Sequence, residues 1–153
     1  MSVRTGIGID SHRLEAGRRL VLGGIEIPHA RGLAGHSDAD VLVHAVIDAL
    51  LGAAGQGDIG THFPPTDDRW RDADSLDLLR TVIGIVGGRI QNIDVTVVCE
   101  EPKIGPHREE MERNLADATS AKVNVKATTN EGMGWIGRGE GIAALAVAQV
   151  DGA

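Results

Sequence analysis

The 153-residue chain is long enough to bury a substantial core as one domain, and no stretch approaches the roughly 18–20 apolar residues of a membrane span. Acidic residues exceed basic ones by 22 to 15, a net charge of −7 that opposes polyanions, and only Phe63, Trp70 and Trp135 could stack on nucleic-acid bases. Lone Cys99 excludes an internal disulfide and no basic-then-apolar leader opens the chain, so a soluble, cytoplasmic protein is expected.

Residues 3–9 read as a strand that delivers Asp10 and His12 two positions apart. Positions i and i+2 of a strand share a face, so this carboxylate and imidazole point into one space. Residues 20–22 and 25–27 flank Gly23-Gly24 and fit a tight hairpin. A polar loop follows through Gly35-His36-Ser37-Asp38. Its amides precede a helix, a natural anion site, and His36 offers a further donor; a plain polar cap would look the same. From 39 to 54 the apolar residues recur at helical spacing, with Ser37 or Asp38 as N-cap and His44 inside.

Asp10, His12 and His44 are a donor set for a catalytic divalent metal, and nitrogen with carboxylate ligands suits zinc. Asp40 and Asp48, four residues to either side of His44, could accept its other ring N–H. An Asp10 that caps a turn and a His44 that simply fills the core remain open alternatives.

Residues 55–71 form a loop long enough to suggest a role in function. Asp74 or Ser75 then caps a helix that stops at Gly87-Gly88, and 90–98 reads as a strand ending at Cys99, a small buried hydrophobe. A helix starts near Pro106, a strand covers 123–128, and Thr128-Thr129-Asn130-Glu131 follows it. These side chains could hold phosphate oxygens and Mg²⁺, or form an ordinary ST-turn. Residues 132–141 are a glycine-rich loop exposing Arg138 and Glu140, and 142–150 is a last apolar strand. The order β, β-hairpin, α, α, β, α, β, β predicts a single α/β domain over 1–153: one mostly buried sheet with helices on one face.

Taken together, GIGIDSHR, LGGIEIP, GLAGHSDADVLVHAVIDALLGAAGQGDIGTHFPPTD, VTVVCEEPKIGPH and NVKATTNEGMGWIGRGEGIA resemble the 2-C-methyl-D-erythritol 2,4-cyclodiphosphate synthase family from about Arg4 to Val150. The resemblance implies an α+β, ferredoxin-like-related fold and a homotrimer with active sites between subunits. The implied reaction is an intramolecular phosphoryl transfer that releases CMP. By position, Asp10, His12 and His44 match one zinc ion's ligands and Glu131 a Mg²⁺ or Mn²⁺ ligand. His36 and Thr129 match transition-state stabilisers, with Ser37 beside His36. Asp58, Ile59, Gly60, Phe63, Pro64, Pro65, Thr66 and Asp67 match the loop holding the methylerythritol. Cys99, Glu100, Glu101, Pro102, Lys103, Ile104 and Gly105 match the cytidine pocket. Thr128, Asn130, Trp135 and Arg138 fall on substrate-side positions, and Arg138 and Glu140 lie where a central cavity can hold a prenyl diphosphate. Asn130 stands where a third threonine is expected, Trp135 replaces a phenylalanine, and Glu100 and Glu101 bring negative charge near a phosphate. A zinc-dependent phosphohydrolase would present the same triad, and a prenyl-phosphate or metal-binding module is the non-enzymatic alternative.

Overall fold

A computed structural model describes residues 2–152. The long first strand β1, Val3–Ala16, pairs antiparallel with the last, β7, Gly141–Asp151, along eleven residue pairs. Around them the sheet runs β4 (Arg31–Leu33), β1, β7, β5 (Arg89–Val98), β6 (Lys122–Thr128). Among the described residues only β5 and β6 pair in parallel, joined by the crossover helix α4, Arg108–Thr119. Strands β2 (Leu20–Leu22) and β3 (Ile25–Ile27) form the predicted hairpin, both turn glycines having positive φ as a primed turn needs.

Two elements depart from expectation. The first strand continues seven residues past Ile9, because pairing with β7 and with the unforeseen β4 holds a segment whose only core residue is Leu14. The predicted loops at 55–71 and 132–141 contain two short helices, α2 (Ile59–His62) and α5 (Gly134–Gly137). Helix α3, Ser75–Val86, starts at its predicted Asp74 cap.

The central helix α1, Val41–Ala54, has eleven buried residues and lies directly on β1. Contact is possible because Gly6 and Gly8 face it: a Cβ on either would sit 1.9 Å from the carbonyl oxygen of Ala49 or Ala45. The opposite face of β1 and β7 is apolar and open, with Ile7 71% and Ile9 66% exposed beside Val3, Leu145 and Val147. The helices therefore cover one face, as expected, and the sheet is buried on that face only. No helix among the described residues is long and apolar enough to cross a membrane.

The N-cap of α1 is Asp40, not Ser37 or Asp38, because Ala39 takes a left-handed conformation (φ 56°) and delays the helix. One Asp40 oxygen accepts from Val43 and Gly23, the other from Gly24, so this buried carboxylate also pins the hairpin turn. Burial and the nearby Asp38 charge push its pKa up to about 6 against those hydrogen bonds. The native state thus holds this proton where the unfolded chain has released it. Stability falls as pH rises from about 4 to 6, by about 3 kcal/mol from this group. Urea unfolding of wild type and Asp40→Asn across pH 4–7 should show their stability difference moving toward the variant by that amount; a pH-independent difference would refute it.

Candidate metal and phosphate site

Strand β1 places Asp10 and His12 on the face that carries Gly6 and Gly8, toward α1, and α1 presents His44 one turn after its cap. Asp10 Oδ2 lies 2.8 Å from His12 Nε2 and 3.2 Å from His44 Nδ1, and the two nitrogens are 3.4 Å apart. Donors bound tetrahedrally at about 2.0–2.1 Å would be roughly 3.3 Å apart, so the triangle needs little adjustment to close on one divalent ion.

The opposite ring nitrogens are occupied, which orients the lone pairs. His12 Nδ1 donates to the Ala34 carbonyl at 2.9 Å, leaving Nε2 bare toward Asp10. His44 Nε2 lies 2.8 Å from Ser75 Oγ and 3.1 Å from Ser37 Oγ, leaving Nδ1 toward Asp10. Burial alone would raise the Asp10 pKa, but hydrogen bonds and charge from the two imidazoles in their protonated form outweigh it and bring it down to about 2, so the carboxylate is ionised. The residues present fit a metal: an ionised oxygen and two imidazole lone pairs converge on one point.

The expected partners of His44 have other duties. Asp40 caps α1, and Asp48, one turn beyond His44, accepts the Ile59 amide at 2.7 Å. That bond anchors the loop 58–65 below the triad. Within the Gly35–Asp38 loop the Asp38 amide is spent on the Ala73 carbonyl, and the next two amides, of Ala39 and Asp40, are taken by Ser37 Oγ and Asp38 Oδ1. His36 stays available: its Nε2 is buried without a hydrogen-bond partner among the described residues.

A cavity of about 260 Å³ opens on the triad, and His36, Ser37, Ile59, Gly60, Phe63 and Pro65 line it. Sequence reasoning missed two further walls, Leu78 and Trp70, whose indole meets Phe63 edge-on at 4.9 Å. Their helical and loop positions carry no local signal of a pocket. Asp58 and Asp67 cap short helical turns, with Pro64 and Thr66 beside them, outside the cavity lining.

A second cavity, about 330 Å³, gathers Cys99, Glu100, Pro102, Lys103, Ile104, Gly105, Thr128 and Thr129. The two cavities share no residue. Burial, reinforced by the Glu100 charge, pushes the Cys99 thiol up to about 11, which removes it as a nucleophile. Glu100 accepts the amides of Asn130 (2.7 Å) and Gly132 (3.0 Å) and so braces the 128–132 turn; Glu101 is exposed. In that turn Thr129 Oγ1 accepts from the Glu131 amide, and the exposed Glu131 belongs to no metal-capable group of three among the described residues. Trp135 lines a third recess with Ser11, His12, Arg13 and Glu140, and Arg138 pairs with Glu140 at 3.4 Å.

Fold and site together define a mixed α/β enzyme with a divalent-metal triad at the mouth of a partly apolar pocket. A family model, the YgbB family, matches residues 3–151, and the chain belongs to that family. It is 60% identical to a 2-C-methyl-D-erythritol 2,4-cyclodiphosphate synthase of Symbiobacterium thermophilum, covering 96% of this chain and 98% of that one. The Salinibacter ruber synthase is 56% identical, over 99% and 100%. A solved 2C-methyl-D-erythritol-2,4-cyclodiphosphate synthase with bound CDP superposes with a TM-score of 0.88 at 38% identity, over 97% of this chain and all of that one. The bifunctional IspDF of Campylobacter jejuni superposes with a TM-score of 0.93 at 41% identity, and this chain spans 42% of its length.

Proposed function

We propose that this chain, acting as one domain over 1–153 in the cytoplasm, is a cyclodiphosphate synthase of the non-mevalonate isoprenoid pathway. It converts 4-diphosphocytidyl-2-C-methyl-D-erythritol 2-phosphate to 2-C-methyl-D-erythritol 2,4-cyclodiphosphate and CMP. The observation that carries this reading is the convergence of Asp10, His12 and His44 beside His36 in a chain so similar to named synthases.

The substrate supplies its own nucleophile: a 2-phosphate oxygen attacks the β-phosphorus of the diphosphate and CMP departs. The protein must therefore bring two anions together and hold them in line. Zn²⁺ held by Asp10, His12 and His44, with Mg²⁺ or Mn²⁺ at Glu131, would neutralise phosphate charge and polarise the phosphoryl oxygens. His36 donates its unpartnered Nε2–H to a phosphate oxygen, a role supported by the cost of leaving a buried donor unsatisfied. Thr129 donates its hydroxyl to charge developing at the transferred phosphorus, and Ser37 steadies the phosphate beside His36. Asp58 to Gly60 and Phe63 to Asp67 surround the methylerythritol. Cys99 to Gly105, with Thr128 and Asn130, receives cytidine and its phosphates, Lys103 supplying positive charge.

Because the metal pocket and the cytidine cavity are separate within one chain, a complete site is proposed to form between subunits of a homotrimer. The open apolar rows of β1 and β7 support this, since a second copy would remove them from water. A prenyl diphosphate in the central cavity beside Arg138 and Glu140, with Trp135 on the substrate side, belongs to the same proposal. So does a relation to ferredoxin-like folds, which the layer of helices on one sheet face supports.

Incubation with the cytidylyl substrate, zinc and magnesium should yield the cyclic diphosphate and stoichiometric CMP by mass spectrometry. Open-chain phosphate products instead would identify a phosphohydrolase and overturn the assignment.

A further inference from the structure

Behind His44, on the side away from the pocket, a short chain of hydrogen bonds crosses from α1 to the start of α3 and back to the loop before α1. His44 Nε2 meets Ser75 Oγ at 2.8 Å, and Ser75 Oγ in turn meets Asp38 Oδ1. The other Asp38 oxygen accepts the Ser75 amide at 3.0 Å, and Asp38 is itself held by its amide bond to the Ala73 carbonyl.

We propose that Asp38 and Ser75 are positioning residues that fix which nitrogen of His44 faces the metal pocket, and thereby set metal affinity without touching the metal. The inference rests on Asp10, His12 and His44 being the metal ligands.

The direction of each bond follows from donor inventory. A carboxylate only accepts, so the Ser75 hydroxyl proton goes to Asp38. The lone pairs of Ser75 Oγ then face His44, and Nε2 must carry the hydrogen. Nδ1 is left bare, and it is Nδ1 that lies 3.2 Å from Asp10 Oδ2. Ser37 Oγ, which accepts the Ala39 amide, makes the longer contact to the same Nε2, 3.1 Å against 2.8 Å for Ser75 Oγ. Ser75 is fully buried and His44 is 8% exposed, so bulk water cannot substitute for the relay. Nor is Ser75 occupied with capping α3, because the cap is Asp74, whose carboxylate takes the Leu76 amide.

Removing an outer hydrogen-bond partner of a ligating histidine costs about 10- to 100-fold in metal affinity. Ser75→Ala deletes the acceptor. Asp38→Asn keeps the shape but has one accepting oxygen where the carboxylate takes the Asp40 amide, the Ser75 amide and the Ser75 hydroxyl together, so the hydroxyl proton is released to turn toward His44 and the wrong tautomer is favoured. Full-length proteins stripped with chelator would be titrated with Zn²⁺ against a chromophoric competitor and with Co²⁺ by its visible spectrum, and their melting temperatures recorded. Asp74→Ala, which removes the neighbouring cap, reports on stability of the same helix end. Both relay variants should bind Zn²⁺ about 10- to 100-fold more weakly with an altered Co²⁺ spectrum, while Asp74→Ala melts earlier and binds as wild type. Wild-type affinity in a folded relay variant, or an equal loss in Asp74→Ala, would overturn the proposal. His44→Ala in the same titration isolates the underlying reading: if it binds Zn²⁺ as wild type does, the ligand assignment fails, not merely the relay.

Discussion

A His44→Ala protein is expected to lose tightly bound zinc and turnover together while remaining folded. Three donor atoms lie within 3.4 Å of one another, and His44 supplies the one that comes from the helix rather than the strand. Without it, Asp10 and His12 retain only a two-point grip from alternate positions of one strand. Disturbing even an outer partner of a metal histidine costs about 10- to 100-fold; losing the ligand should exceed the upper end of that range. The fold should persist, because the α1 core rests on Val41, Leu42, Ala45, Val46, Ala49 and Leu50 rather than on the imidazole. The expected structural cost is a small cavity and the loss of the His44 donor to Ser75 Oγ, whose own proton still goes to Asp38, about 1–3 kcal/mol. Metal content after desalting, product formation and circular dichroism separate these effects. Unchanged turnover in a folded His44→Ala protein would remove the triad from the mechanism.

The parts of this site that were legible from sequence are those whose cause is local. Asp10 and His12 project together because strand side chains alternate, and His44 declared itself by sitting in a clear helical period. The hairpin at Gly23-Gly24 was legible for the same reason. What escaped depended on distant partners. Ser75 lies 31 residues from the ring it supports, and nothing near either residue announces the contact. Asp38 looked like a helix cap because it precedes an apolar helical run; one left-handed residue, Ala39, moved the cap to Asp40 and released Asp38 for other work. Strand β4 was invisible because Arg31-Gly32-Leu33 owes its conformation to Leu14 and Ala16 across the ladder. Glu100 read as an unwelcome charge near a phosphate, yet its carboxylate is taken up by the amides of Asn130 and Gly132.

Gly8→Ala is expected to be strongly destabilising and to take metal binding with it. The new Cβ would lie 1.9 Å from Ala45 O and 2.7 Å from Ala49 N, both backbone atoms of α1 that no rotamer change can move. Strand and helix must separate, loosening the packing of Ala45, Ala49 and their neighbours. Overpacking a core side chain costs about 1–3 kcal/mol, and a backbone clash belongs at or above that range. The same separation acts on the site, since Asp10 follows Gly8 by two residues on its face and His44 precedes Ala45 by one. Gly84→Ala supplies the contrast. It lies inside α3 with open space at its Cβ position, and replacing a helical glycine should stabilise by about 0.5–1 kcal/mol. Urea unfolding and zinc titration of the two variants should therefore diverge in sign for stability, with zinc affinity falling only in Gly8→Ala. A Gly8→Ala protein as stable and as zinc-loaded as wild type would show that the strand–helix approach is not what holds Asp10 and His44 in register.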